Sequence, residues 1–165
     1  MNALWSYFWP IFAAGLVIGV ITGLIAFRRA RKRTRTLVVA AVLALAAAGL
    51  WHGPLGAADR FSVRVERGAR QALEYYEMTQ VTAQLQRGPL TRQLILAGPA
   101  DDFQHAELAR VLDQLPGVSD VSWSPGRGVP LILEAALLAI LGFLSGLVIA
   151  YLVELRRRYN AQWKW

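Results

Sequence analysis

The segment VPLILEAALLAILGFLSGLVIAYLV, residues 129–153, carries a single charged side chain, Glu134. A helix of roughly 20 apolar residues crosses the hydrocarbon core of a membrane, because all its backbone hydrogen bonds are made internally. Two further apolar runs, at residues 4–27 and 37–51, precede this segment. The sequence therefore predicts three transmembrane helices, in segments 1–27, 37–55 and 129–154.

The middle run is shorter than the other two. Residues 37–51 cover only about 22 Å as a helix, less than the roughly 30 Å of a typical hydrocarbon core. Either the helix continues through Pro54 and Leu55, or the segment is half inserted at the membrane interface. Charge placement favours a full span, because two spans alone would put the basic clusters of the chain on opposite sides of the membrane.

Two basic clusters account for the net charge of +7. One occupies the loop 28–36 and the other the tail 155–165, and both adjoin apolar runs. Residues 53–128 hold eight arginines against nine acidic residues, so no basic patch for nucleic acid is expected there. We interpret the clusters as topology signals and as contacts to membrane lipid. Their members are Arg28, Arg29, Arg31, Lys32, Arg33, Arg35, Arg156, Arg157 and Arg158.

The orientation follows from these clusters. Lys and Arg accumulate on the cytoplasmic side of membrane helices, and three spans put both clusters on one side. We expect the loop 28–36 and the C-terminus in the cytoplasm, and the N-terminus and residues 53–128 outside.

Small residues recur every four positions in the first and third spans. Such a stripe lets another helix backbone approach closely. The two stripes either pack against each other within the chain or contact an integral-membrane partner or a second copy. The helix-packing residues are Gly15, Gly19 and Gly23, with Gly142 and Gly146 followed by Ala150.

Two polar residues in the spans are functional candidates. Glu134 is an ionisable group at membrane depth, near enough to the helix start to reach the interface or to pair with Arg127. His52 lies four residues after Ala48, a spacing typical of helices that ligate chlorophyll in light-harvesting polypeptides. An interfacial histidine beside Trp51 is the alternative. We assign no cofactor to His52.

Nothing in the sequence indicates catalysis. Cysteine is absent and only two histidines occur. No metal-ligand spacing, nucleophile elbow or phosphate-binding glycine loop is found. We expect no catalytic residue, no metal site and no enzymatic activity.

Residues 57–124 have the periodicities of a small folded domain. The pattern predicts a helix at 59–78, strands at 81–86 and 91–97, a helix capped by Asp101 or Asp102, and a strand at 118–123. Two helices on one face of a three-stranded sheet form an α+β layer. We expect Tyr75, Tyr76 and Trp123 in its core, with a binding surface lined by these rings as the alternative. Residues 124–130 are expected to be a linker into the third span.

This domain resembles the BON domain, a small α+β module of bacterial envelope proteins. The likeness lies in stretches 81–86, 94–98, 105–112 and 117–121, the last reading GVSDV. It implies a bacterial source, a periplasmic location for residues 57–124, and binding to lipid or protein.

The expected fold is therefore a membrane α-helical protein of the bacterial inner membrane, with three transmembrane helices and a small α+β periplasmic domain. The expected function is that of an adaptor or accessory subunit in a larger membrane complex. One alternative is a stand-alone protein that contacts envelope lipid or peptidoglycan. Another is a pigment-associated or transport subunit that uses His52 or Glu134.

Overall fold

The computed structural model describes residues 2–28 and 33–162. This part of the chain is mostly helical, with three long apolar helices and a small three-stranded sheet. Its elements are α1 (Ala3–Ala26), α2 (Arg33–His52), α3 (Ala57–Tyr75), β1 (Thr82–Arg87), β2 (Leu90–Ala97), α4 (Asp102–Leu112), β3 (Asp120–Ser122) and α5 (Leu131–Gln162).

The chain divides into two compact units. The sheet unit contains the residues up to Tyr7 together with Gly56–Glu134. The helix unit contains Phe8–Leu55 and the residues from Ala135 onward.

In the helix unit, α1, α2 and α5 are each long and apolar enough to cross a membrane. This agrees with the three predicted apolar segments, although the bounds of α2 and α5 differ. The middle helix starts at Arg33, inside the expected loop 28–36. It then has 20 residues, or about 30 Å, which matches the thickness of a typical hydrocarbon core.

The middle helix ends at His52, so the expected continuation to Leu55 is wrong. Pro54 has no backbone N–H and disfavours helical geometry in the residue before it. The chain turns instead, and the Leu55 N–H donates to the Leu50 carbonyl at 3.0 Å.

Helix α5 continues through residues 155–162, which were expected as a tail. The run from Glu154 to Arg158 contains neither glycine nor proline, so nothing in it interrupts the helix.

In the sheet unit, the expected order of helix, strand, strand, helix and strand is confirmed. β1 pairs antiparallel with β2, and β2 pairs parallel with β3. Alternate residues of β2 enter the apolar core, where Leu94 is 0% and Leu96 1% exposed. Tyr7 belongs to the same unit, and its ring lies 5.5 Å from that of Phe61. Other buried apolar side chains of this unit include Val65, Leu73, Val81, Leu85, Leu108, Leu112 and Leu131.

The second face of the sheet carries polar contacts. The Gln93 amide nitrogen donates to Asp120 and to Ser122, at 3.0 Å each. Its oxygen accepts from the Gly126 N–H at 3.2 Å, so residues 124–128 are docked on the sheet rather than free as a linker. A side chain at Gly126 would collide with the Gln93 amide, whose nearest atom is 2.5 Å from the Cβ position.

Helix α4 begins with a capping box. The Asp101 side chain accepts from the Gln104 N–H at 2.7 Å, and the Asp101 N–H donates to the Gln104 side chain at 3.0 Å. Of the two aspartates expected as caps, Asp101 therefore fills the role.

Tyr75 and Tyr76 are exposed, so the expectation that they are core residues is wrong. The buried face of α3 ends at Leu73, and the helix ends at Tyr75, three residues earlier than expected. Tyr75 is 82% exposed, and its ring packs edge-on against Tyr76. Trp123 is partly buried and donates to the His105 carbonyl at 3.3 Å.

Candidate interaction sites

The glycines of α1 lie against α5 in the helix unit. A Cβ at Gly15 would collide with the Ala139 carbonyl oxygen, and one at Gly19 with that of Phe143. At Gly23 it would lie 2.5 Å from the Ala150 Cβ. From Gly15 to Gly23 along α1, the contacted residues of α5 run from Ala139 to Ala150. The two helices are therefore parallel.

The glycines of α5 make the reciprocal contacts. A Cβ at Gly142 would collide with the Phe12 carbonyl oxygen, and one at Gly146 with that of Leu16. Glycine is needed at these positions because backbone meets backbone, a geometry that permits Cα–H···O contacts. The two glycine stripes therefore pack against each other within the chain.

Small residues also form the buried side of α2. Ala40 and Ala44 pack with Phe143 of α5, and Ile18 lies beside them. Only α2 among the long helices has a glycine with open space around it, since no atom lies within 4 Å of a Cβ placed at Gly49 among the described residues.

The Glu154 carboxylate contacts arginines of both basic clusters. The Glu154 side chain lies 3.9 Å from Arg28 and from Arg157, and 3.3 Å from Arg158. It is only 13% exposed. Because Arg28 follows α1 and the other arginines lie in α5, the two basic clusters meet at one end of the helix unit.

Of the cluster members that the structure describes, the other three make no ion pair with Glu154. The Arg33 guanidinium lies over the Phe27 ring, 4.8 Å from its centre. Arg35 and Arg156 are exposed. Arg29, Arg31 and Lys32 lie outside the described residues, as do the last three residues of the tail.

Glu134 pairs with Arg92 of β2 at 3.3 Å, and not with Arg127, which was one of its two expected alternatives. Both side chains are about one quarter exposed, and the Arg92 Nε is buried without a hydrogen-bond partner in the described structure. Arg92, Leu94 and Leu96 are spaced two residues apart along β2, so they share its inward face. The sequence therefore did indicate a charge on that face. An inward arginine needs an acidic partner, and its identity depends on the tertiary fold.

His52 is the last residue of α2. Ala48, which would leave room for a large ring beside it, is 2% exposed. The surface of Ala48 is therefore already covered by other residues of the chain.

Helix α3 carries a basic strip on its exposed side. Arg60, Arg64 and Arg67 line a shallow depression with Asp59 and the half-exposed Val63. Arg64 also donates to the Ser6 hydroxyl of the same unit. The sequence does not mark this strip as a site, because arginines are expected anywhere on the polar side of an amphipathic helix.

Helix α3 also reaches the outer edge of β1. The Glu66 carboxylate accepts from the Leu85 N–H at 3.1 Å. Both of its oxygens also accept from Arg87 Nη2, at 2.9 and 3.0 Å. Next to this contact, α3 and β1 enclose a groove of about 300 Å³. Nothing in the sequence pattern pairs Glu66 with β1, because the two are separated by a turn whose path the pattern does not give.

Exposed aromatic rings mark other parts of the sheet unit. Phe103 of α4 is 78% exposed. Further along α4, Arg110 Nε donates to Glu107 at 3.0 Å. The guanidinium holds the pKa of the Glu107 carboxyl below its usual value.

No group of three or more His, Asp or Glu side chains suited to a metal ion occurs in the part of the chain that the structure describes.

No family model, curated protein or solved structure matches this chain. The likeness to the BON domain thus rests on the four stretches quoted above and on the observed element order.

Proposed function

We propose that this protein crosses the bacterial inner membrane three times, displays a BON-like domain in the periplasm, and serves as a non-enzymatic accessory subunit of a larger membrane complex. The observation that carries the topology is the contact of Glu154 with Arg28, Arg157 and Arg158. Basic residues gathered at one end of apolar helices favour that end as cytoplasmic.

The subunit role is supported by the surface that the helices leave open. Less than a third of the most apolar stretch of each long helix is buried within the chain, and for α2 the buried share is 17%. Gly49 on α2 has room for another backbone. In the sheet unit, Tyr75 and Phe103 expose aromatic rings of the kind enriched in protein interfaces.

Single-cysteine labelling tests the topology, because the chain has no native cysteine. Gln114→Cys and Ala161→Cys put a thiol at exposed positions of the domain and of the α5 end. A membrane-impermeant maleimide added to cells with a permeabilised outer membrane should label the first and not the second. Lysis should make both reactive. Equal labelling before lysis would contradict the proposed orientation.

Co-purification tests the subunit role. The full chain, extracted in mild detergent from its native host, should bring a defined integral membrane protein with it in constant ratio. Gly49→Leu fills the open space on α2 and is the variant to compare with the wild type. It should retain less of the co-purifying protein. A chain that runs as a monomer, with no protein at constant ratio, would contradict the subunit role.

A second function, contact of the domain with anionic lipid headgroups, is favoured by the basic strip of α3. Arg60, Arg64 and Arg67 lie on one side of the helix, and Arg64 contacts the first turns of α1 through Ser6. Arginines near a membrane surface attract anionic lipid. Purified Arg60→Gln/Arg67→Gln protein should retain less phosphatidylglycerol than the wild type, with Arg110→Gln as the control. Equal retention would rule this function out.

A further inference from the structure

The outer edge of β1 is open along the groove that it forms with α3. β1 pairs only with β2, and across residues 2–28 and 33–162 no further strand lies along its other side. An open sheet edge presents backbone N–H and C=O groups that can pair with another polypeptide.

The pairing of β1 shows which groups point outward. The Leu85 N–H points away from β2, because it donates to Glu66. In an antiparallel pair, residues bonded to the neighbouring strand alternate with residues whose groups face away. Ala83 lies two positions before Leu85 in the same register. Its N–H and C=O therefore face the groove, as does the Leu85 C=O.

A groove runs along the open edge of β1. Its volume is about 300 Å³, between a wall on α3 and the edge strand. Leu73 and Val81 lie at its floor but are only 3% and 4% exposed. The groove therefore offers the β1 backbone at Ala83 rather than an apolar pocket.

The charges of the groove do not favour a phosphate ligand. The Glu66 carboxylate is neutralised by Arg87 at 2.9 Å. The wall then presents Arg70 and Glu74, one turn apart and opposite in sign. A lipid headgroup or a nucleic acid would find no excess of cations here, whereas an extended peptide satisfies the outward backbone groups.

We infer that this groove binds an extended segment of a partner protein by β-strand addition to β1, with main-chain hydrogen bonds to Ala83. The inference rests on the proposed adaptor function and deepens it by naming the surface and the partner chemistry. Glu66 occupies the Leu85 N–H and so sets the end of the added strand.

A displayed library of random heptapeptides, selected on the full-length protein in detergent, tests this binding mode. Ala83→Pro removes the outward N–H without removing a bond between β1 and β2. Selected peptides should bind Ala83→Pro at least about tenfold more weakly than the wild type. Gln84→Ala changes a side chain of the groove but keeps the backbone, and it should bind within about twofold of the wild type.

A change in the peptide gives a test that does not depend on the folding of Ala83→Pro. Alternate residues of an added strand face β1, so N-methylation of one alternate set should weaken binding about tenfold and methylation of the other set should not. Equal effects of both sets, or no selection of peptides over Ala83→Pro, would overturn the inference. So would a dimer joined through two β1 edges, seen as concentration-dependent association that Ala83→Pro abolishes.

Failure of this inference and failure of the proposed function give different results. If a membrane protein co-purifies equally with the wild type and Ala83→Pro, the subunit function stands and the groove is not its binding site. If peptides bind as described but no protein co-purifies, strand addition stands and the subunit function fails.

Discussion

In the helix unit, α1 and α5 touch through glycine backbones, whereas the elements of the sheet unit are joined by leucine side chains and by hydrogen bonds between named polar groups. The difference reflects the surroundings that each unit suits. Lipid tails are as apolar as leucine, so helices in a membrane gain stability from close packing at small residues. A domain in water gains it from removing apolar surface from solvent.

The comparison makes the two units respond to different substitutions. Steric changes at glycine should affect the helix unit, and cavities or lost hydrogen bonds should affect the sheet unit. Each prediction below is measured on the full chain in detergent, by amide hydrogen exchange of peptides from both units or, for the glycine variants, by circular dichroism.

Leu94→Ala should have the largest effect. Leu94 is 0% exposed at the centre of β2, and its truncation leaves a cavity worth about 2–5 kcal/mol in the free energy of unfolding. Exchange should accelerate in residues 57–134 and stay unchanged in α2. Val63→Ala, at a half-exposed position, is the control. If α2 exchanged as fast as β2 in Leu94→Ala, the two units would unfold as one and the comparison would fail.

Gly19→Leu should destabilise the helix unit by about 1–3 kcal/mol, because the added side chain collides with the Phe143 carbonyl and with the Gly146 Cα. Gly49→Leu makes the same chemical change where no atom lies within 4 Å of the new Cβ in the described residues. Unfolding in mixed micelles, followed by helical circular dichroism, should separate the two variants. Equal unfolding midpoints for the two variants would show that the glycine contacts do not hold α1 against α5.

Gln93→Ala should cost about 1–3 kcal/mol, since it leaves the Gly126 N–H without its acceptor and breaks both bonds to β3. Gln84→Ala in the neighbouring strand removes an exposed amide and is the matched control. The diagnostic signal is faster exchange of the Gly126 amide. Slow exchange at Gly126 in Gln93→Ala would mean that residues 124–128 are held by something other than Gln93.

Asp101→Ala should have the smallest effect, about 1 kcal/mol, through loss of the capping box at the start of α4. Asp102→Ala keeps that cap and should cost less. Amide exchange in the first turn of α4 reports the difference. The idea of a cap at Asp101 fails if the two variants are indistinguishable there.

Particular residues show how far the sequence pattern reached. The apolar runs, the glycine spacing and the Asp101 cap could be read from the chain because each depends on local periodicity or on a neighbour within one turn. No local pattern pairs Arg92 with Glu134, because these residues are far apart along the chain. Tyr75 and Tyr76 were misplaced because helical periodicity was extended beyond the end of α3.

The sequence by itself determined the three apolar helices, the order of elements in the sheet unit and the grouping of basic residues next to the apolar runs. Hydrophobic periodicity and chain connectivity are properties of neighbouring residues, so they are written directly in the order of amino acids. Only the tertiary structure decided that α1 and α5 use each other's glycines, that Gln93 holds residues 124–128, and that Glu66 closes one end of an open strand edge. Those contacts join residues distant in the chain, and their geometry exists only once the helices and strands have packed.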